Sequence, residues 1–184
     1  MLRQKLKDQS GFTLMEILIV VILMGILAMV VIPQISVSSE DTKAATLQSN
    51  LTQIRNLLEV YYAQHAEKYP GEIDHATGSG APASDIAAAL SFVAQLAQYT
   101  DSTGKASTTD RTNFKLGPYI KSTNLPPNPF NNKSSVKIDS TVTDITARTY
   151  TAGDESDGYK FFVKTGILIA CDGGTSNGVA HNNY

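Results

Sequence analysis

Residues 12–32 form a nearly unbroken apolar run, interrupted only by Thr13, Glu16 and Gly25. At about 1.5 Å per residue, a helix of that length covers a bilayer core of roughly 30 Å. No other feature constrains this chain as strongly. A helix that is apolar on every side must be buried in lipid or against other helices. Glu16 lies near the start of the run, where a carboxylate surrounded by hydrocarbon is costly and points to a specific partner. A plain anchor gains nothing from it.

The residues before the run set its orientation. Residues 1–11 are short and polar, with Arg3, Lys5 and Lys7 against Asp8. Positive charge beside a hydrophobic helix holds that end in the cytoplasm. A secretory signal has a shorter apolar region, followed by a small-residue cleavage site. Here the processing point, Ser10-Gly11 before Phe12, comes before the apolar run. Cutting there removes the charges and leaves the helix on the mature protein.

Gly11-Phe12-Thr13-Leu14-Met15-Glu16, abutting the apolar helix, resembles the processing motif of type IV prepilins and type II secretion pseudopilins. The resemblance is clear from residue 1 to about residue 70. It implies a membrane prepilin peptidase that cuts after Gly11 and methylates the new amine of Phe12. It also implies that the Glu16 carboxylate pairs with the terminal amine of a neighbouring subunit. Each charge is costly alone in lipid; paired, they neutralise one another and set axial register. The proline this family places late in the apolar stretch falls on Pro33. The implied product is a helical homo-oligomeric filament, built by an assembly ATPase and a platform protein. The precursor waits in a bacterial inner membrane. The assembled form is a cell-surface pilus or, alternatively, a periplasmic pseudopilus.

Past the lipid-facing segment, the periodicity changes. Pro33 is expected to bend or loosen the helix, and Ser36, Ser38 and Ser39 form a polar step. Ala44, Leu47, Leu51, Ile54, Leu58, Tyr61 and His65 then recur at spacings of three and four, one amphipathic stripe. The helix is expected to stop at Tyr69-Pro70-Gly71. The predicted organisation is a leader at 1–11, a transmembrane or filament-core half-helix at 12–35, an amphipathic half at 36–69, and a head at 70–184. Within the head, Ser84 or Asp85 caps a second helix at about 85–99, with Ile86, Leu90, Val93 and Ala97 on its buried face.

Leu125-Pro126-Pro127-Asn128-Pro129-Phe130 excludes a central strand and resembles a segment of pseudopilins that pins the loop leading into the sheet. Strands are expected at 135–138, 147–151, 159–164 and 167–171, with a tight turn at Lys164-Thr165-Gly166. The Gly- and Asn-rich tail from 172 is expected to be loose. The predicted fold class is α+β and pilin-like: a long N-terminal helix packed by its second half on a small antiparallel sheet.

The chain has a formal net charge of −2. It shows no basic stripe, so nothing favours nucleic-acid binding. Cys171 is the single cysteine. An intramolecular disulfide is therefore impossible, and the thiol is expected to be buried as a small apolar group. His65, His75 and His181 lack ligand spacing, and His65 is expected to pack at the end of its stripe. Asp154 and Asp157, within Gly153–Gly158, offer oxygen ligands for calcium, an ion that the resemblance to major pseudopilins also suggests. Their spacing matches no EF-hand, and a solvated hairpin turn is the preferred reading. No nucleophile motif or phosphate-binding loop is present, so no enzyme, catalytic residue or cofactor is expected.

The favoured function is a type IV pilus-like filament subunit. The alternative is a major pseudopilin, the piston of type II secretion. The missing disulfide, the proline-rich segment and the acidic turn favour the pseudopilin. The extra helix and the poor calcium match favour the pilin. A membrane-anchored periplasmic binding domain is the reading from a different class, and it would make Glu16 dispensable.

Overall fold

In the computed structural model, residues 11–146, 150–151 and 154–184 are described, with the side chains of 30–38 excepted. Helix α1, Leu14–Gln64, accounts for the long N-terminal helix. The chain divides into two units, Met1–Glu40 and Asp41–Tyr184. α1 begins in the first and ends in the second. In the first unit, residues 11–29 are all solvent-exposed, including Phe12, Leu14 and Met29 at 80% or more of their surface (85%, 85% and 81%).

In the second unit the amphipathic stripe becomes the core. Ala44, Leu47, Leu51, Ile54, Leu58, Tyr61 and His65 are all buried. Fully burying one such aliphatic side chain contributes about 1.5–3 kcal/mol. α1 ends before the proline: Ala66 and Glu67 take positive φ values of 52° and 59°. The Glu67 N–H reaches back to the Tyr62 carbonyl at 3.2 Å, a Schellman-type closure. The helix thus stops at its own left-handed cap, earlier than the expected Tyr69-Pro70-Gly71.

Helix α2 spans Asp85–Ala97, and the Ser84 hydroxyl accepts the Ala87 N–H at 3.2 Å as its N-cap. Its buried face is rotated from the expected one. Ile86 and Leu90 are exposed, whereas Ala88, Ser91, Phe92, Gln95 and Leu96 are buried. The polar pair makes this possible. The Gln95 amide donates to the Ile73 and Gly104 carbonyls and accepts the Gly71 N–H. The Ser91 hydroxyl accepts the His75 N–H. Two polar side chains satisfy loop backbone that would otherwise be buried without partners, so Phe92 turns inward in place of Leu90.

Tyr99–Thr100 (β1) and Ala106–Ser107 (β2) form a minimal antiparallel pair just past α2, so the helix ends short of the expected residue 99. The main sheet has three strands in the order β3-β4-β5: Val136–Asp139, Tyr159–Phe162 and Ile167–Ala170. β4 and β5 are antiparallel, as expected of a tight turn at Gly166 (φ 72°). β3 and β4 are parallel, with Val136 opposite Tyr159. The sheet is therefore mixed rather than antiparallel, because a parallel pair needs a long crossover, supplied by residues 140–158. The expected strand at 147–151 lies largely outside the described residues, and Tyr150 and Thr151 are not in a strand.

The tail is docked, contrary to expectation. Thr175–Ser176 (β6) and Val179–Ala180 (β7) pair across Asn177-Gly178, both at positive φ, the favoured chemistry of a two-residue hairpin. A 3-10 turn at His181–Asn183 follows. Arg55 of α1 donates to the Leu168 carbonyl at 2.7 Å and to the Tyr184 backbone oxygen at 2.6 Å.

Candidate functional site

At the N-terminus of α1, Thr13 and Glu16 satisfy one another. The Glu16 carboxylate accepts the Thr13 backbone N–H and hydroxyl at 2.8 Å each, and the Thr13 hydroxyl accepts the Glu16 N–H at 3.2 Å. This is a capping box, which ties up donors that the first helical turn leaves open. Thr13 was missed in the sequence, although Thr-Leu-Met-Glu carries the Thr-x-x-Glu signature of that device. Gly11 is exposed, and a Cβ built on it meets nothing within 4 Å. Packing therefore imposes no requirement for glycine at that position. Pro33 lies within the helical backbone of α1, and its side chain lies outside the described ones.

Beyond the cap, the exposed apolar side chains of residues 14–29 cover the helix on all sides. Large contiguous apolar surface marks a protein or lipid interface. Among the described residues, no helix is long and apolar enough to cross a membrane. The expected span, 12–35, continues beyond Met29 into residues whose side chains are not described.

The acidic turn differs from the solvated hairpin expected. Asp154 opens a 3-10 turn, and its side chain is fully buried. Its carboxylate accepts Lys137 Nζ at 2.5 Å, Lys160 Nζ at 3.2 Å and the Thr151 N–H at 3.0 Å. Burial alone would raise its pKa; the Lys137 bond, the Thr151 N–H and Lys160 outweigh that and hold the carboxyl below its usual value. Asp157 is half-buried, its side chain bonded to Ser156 at 3.2 Å. Among the described residues, no group of three or more His, Cys, Asp or Glu is placed to hold a metal. Calcium requires six to eight oxygen ligands. The Asp154 oxygens already accept two ammonium groups and an amide, so these residues do not fit that ion.

A second constellation sits in the tail. His181 Nδ1 is 2.5 Å from Asp172 Oδ1, and Nε2 is 2.8 Å from the Ser176 hydroxyl. A carboxylate only accepts, so Nδ1 carries a proton, and Nε2 shares a hydrogen bond with the serine hydroxyl. The connectivity is that of a hydrolytic triad. The setting is not: Ser176 and His181 are buried, and His181 is flanked by the Phe130 ring at 4.0 Å and the Tyr184 ring at 5.4 Å. Asn128 donates to the other Asp172 oxygen at 2.7 Å and to the Gly158 carbonyl at 3.1 Å. The proline-rich segment is thereby tied to both the sheet and the tail. A Cβ on Gly174 would fall 2.7 Å from the imidazole and 2.8 Å from Asp172, so glycine is required there. The cluster fastens the tail, and Ser176 is buried within it.

His65 and Cys171 pack as expected. His65 stacks on Tyr61 at 3.7 Å and meets the Thr100 hydroxyl at 2.9 Å. Burial lowers its pKa, partly opposed by its bond to the Tyr61 carbonyl. Cys171 is fully buried, which pushes its thiol up to about 12, with Asp154 adding to the shift.

Among the described residues, an unconstrained Gly11 and the mutually capped Thr13 and Glu16 stand ahead of an uncovered apolar helix. A family model described as the prokaryotic N-terminal methylation motif matches residues 6–32. That match covers the N-terminal segment alone and supports a likeness to pilins and pseudopilins. It is similar to the type II secretion system core protein G of Pseudomonas aeruginosa, 38% identical over 55 residues, 30% of this chain and 39% of that protein. The core protein G of Aeromonas hydrophila is 34% identical over 64 residues, 35% of this chain and 44% of that protein. That of Vibrio cholerae is 33% identical over 58 residues, 32% of this chain and 40% of that protein. The chain thus spans about two fifths of the length of these curated relatives. No solved structure matches it.

Proposed function

We propose that this chain is a pilin-like subunit of a type II secretion pseudopilus, anchored in the inner membrane before assembly. The sequence favoured a surface pilus; the matched relatives, all core protein G, weigh toward the pseudopilus. The observation that supports assembly most is the apolar sheath at residues 14–29, exposed on every side and without a partner among the described residues. Removing such surface from water is worth about 25 cal/mol per Å². The helix therefore belongs in lipid before assembly and among its copies afterwards.

In this reading, prepilin peptidase cuts after Gly11 and methylates Phe12. Glu16 then meets the Phe12 amine of a neighbouring subunit and sets register. An assembly ATPase and a platform protein extract the subunits. The head, held by the second half of α1, is carried to the outside of the filament.

The test is mass spectrometry of envelope and sheared surface fractions, with secretion assayed in a deletion strain. The expected result is N-methylated Phe12 in the envelope and loss of secretion. Abundant surface fibres of the processed chain with secretion intact would shift the reading to a pilus. A chain still beginning at Met1 would overturn both.

A further inference from the structure

The acidic turn between β3 and β4 is the place where a metal would be sought, and its carboxylates already face cations. Lys160, on the central strand β4, is 5% exposed overall, yet its ammonium lies 3.2 Å from Asp154 Oδ2 and 3.6 Å from Asp139 Oδ2. Lys137, on β3, approaches the other Asp154 oxygen at 2.5 Å. The two lysines point toward the same carboxylate because β3 and β4 run parallel with Lys137 opposite Lys160. The Lys160 ammonium also lies 5.1 Å from the Phe162 ring, where the ring face adds attraction for a cation. Asp139 is in turn held by the Thr141 hydroxyl at 2.8 Å and the Thr141 N–H at 3.0 Å.

Two carboxylates and two ammonium groups cancel in charge. A buried carboxylate left unpaired is strongly unfavourable, so some cation is obligatory beside Asp154. A divalent ion entering this cluster would have to displace an ammonium that is covalently part of the sheet, or sit beside two like charges.

We propose that Lys160 is the resident cation of the turn, taking the structural part that a bound calcium ion would play, so that the head folds independently of metal. The crossover between β3 and β4 is then closed by the chain's own side chains. Its integrity does not follow the calcium level outside the inner membrane. The inference concerns the head alone and does not depend on which filament the chain joins.

The test is thermal unfolding of the full chain in detergent micelles, followed by circular dichroism, with excess EDTA and separately with excess calcium chloride. The expected shift between the two is below about 1 °C, because a ligand binding only the folded state would raise the midpoint by mass action. The Lys160→Met variant is expected to unfold about 10 °C lower, since it leaves Asp154 buried with only Lys137 to balance it. The double variant Lys160→Met/Asp154→Asn removes both charges and is expected to recover most of that loss. A midpoint lowered by EDTA in the unmodified chain overturns the proposal. So does a Lys160→Met variant as stable as the parent. Both outcomes leave the filament reading untouched, because that reading is scored by Phe12 methylation and secretion.

Discussion

The carboxylate of Glu16 accepts two hydrogen bonds from Thr13, through its backbone N–H and its hydroxyl, each at 2.8 Å. In a single chain, the acid assigned to subunit pairing is thus the cap of its own helix. The two roles separate by substitution. Glu16→Gln keeps hydrogen-bonding capacity toward Thr13 and loses the charge. The expected outcome is a fall of roughly tenfold or more in cross-linkable assembled subunits, with the helix intact by circular dichroism. Thr13→Val opens the cap and is expected to leave assembly nearly unchanged. Full assembly by Glu16→Gln would reduce Glu16 to a cap.

Gly11 has room for a side chain, since an added Cβ meets nothing within 4 Å. Gly11→Val is expected to leave the head as stable as before while the precursor accumulates with Met1 intact. Intact-mass measurement of membrane fractions reads this directly. Normal cleavage of Gly11→Val would show that the glycine is not read by the peptidase.

Burial lowers the pKa of His65 in the folded chain. The unfolded chain then binds more protons, so stability is complete above the unfolded value of about 6.5 and falls as pH drops through the folded value. Urea midpoints measured at about pH 7.5 and about pH 5.5 should decrease toward acid, and the decrease should be smaller in His65→Gln. An unchanged pH slope in that variant would sink the assignment.

The tail is fastened by His181, through Asp172 at 2.5 Å and Ser176 at 2.8 Å. His181→Ala leaves a buried carboxylate and hydroxyl short of partners, and is expected to cost about 2–4 kcal/mol in denaturant unfolding. A fluorophosphonate probe is expected to leave Ser176 unlabelled in the native protein. Labelling there would give the constellation a chemistry that its burial argues against.

Cys171 is fully buried and its thiol is pushed up to about 12, first by burial and then by Asp154. Native protein near neutral pH should resist iodoacetamide, and denatured protein should react at once. Disulfide-linked dimers from native subunits would contradict this placement.

Much of this organisation was legible in residues close together in sequence. The stripe from Ala44 to His65 reports burial directly, because one face of a helix repeats every three to four residues and that face met the core. The failures lie where neighbours distant in sequence decide. On α2, Ile86 and Leu90 looked like the inner face. Gln95 and Ser91 took that place, because the backbones of Gly71, Ile73, His75 and Gly104 needed partners. The tail looked loose, although Asn177-Gly178 carried a hairpin signal; the signal gained force only with Asp172 and Ser176 set around His181.

By itself the sequence determined the apolar helix, the methylation-motif match at its start, the amphipathic continuation and the broad α+β class. These rest on periodicity, charge and spacing within one segment, which are local properties of the chain. Tertiary structure alone decided the parallel pairing of β3 with β4, the burial of Asp154 between Lys137 and Lys160, and the closed setting of Ser176. The physical reason is that the stability of a buried charge or hydroxyl depends on which distant partner reaches it, and only the folded chain brings those partners together.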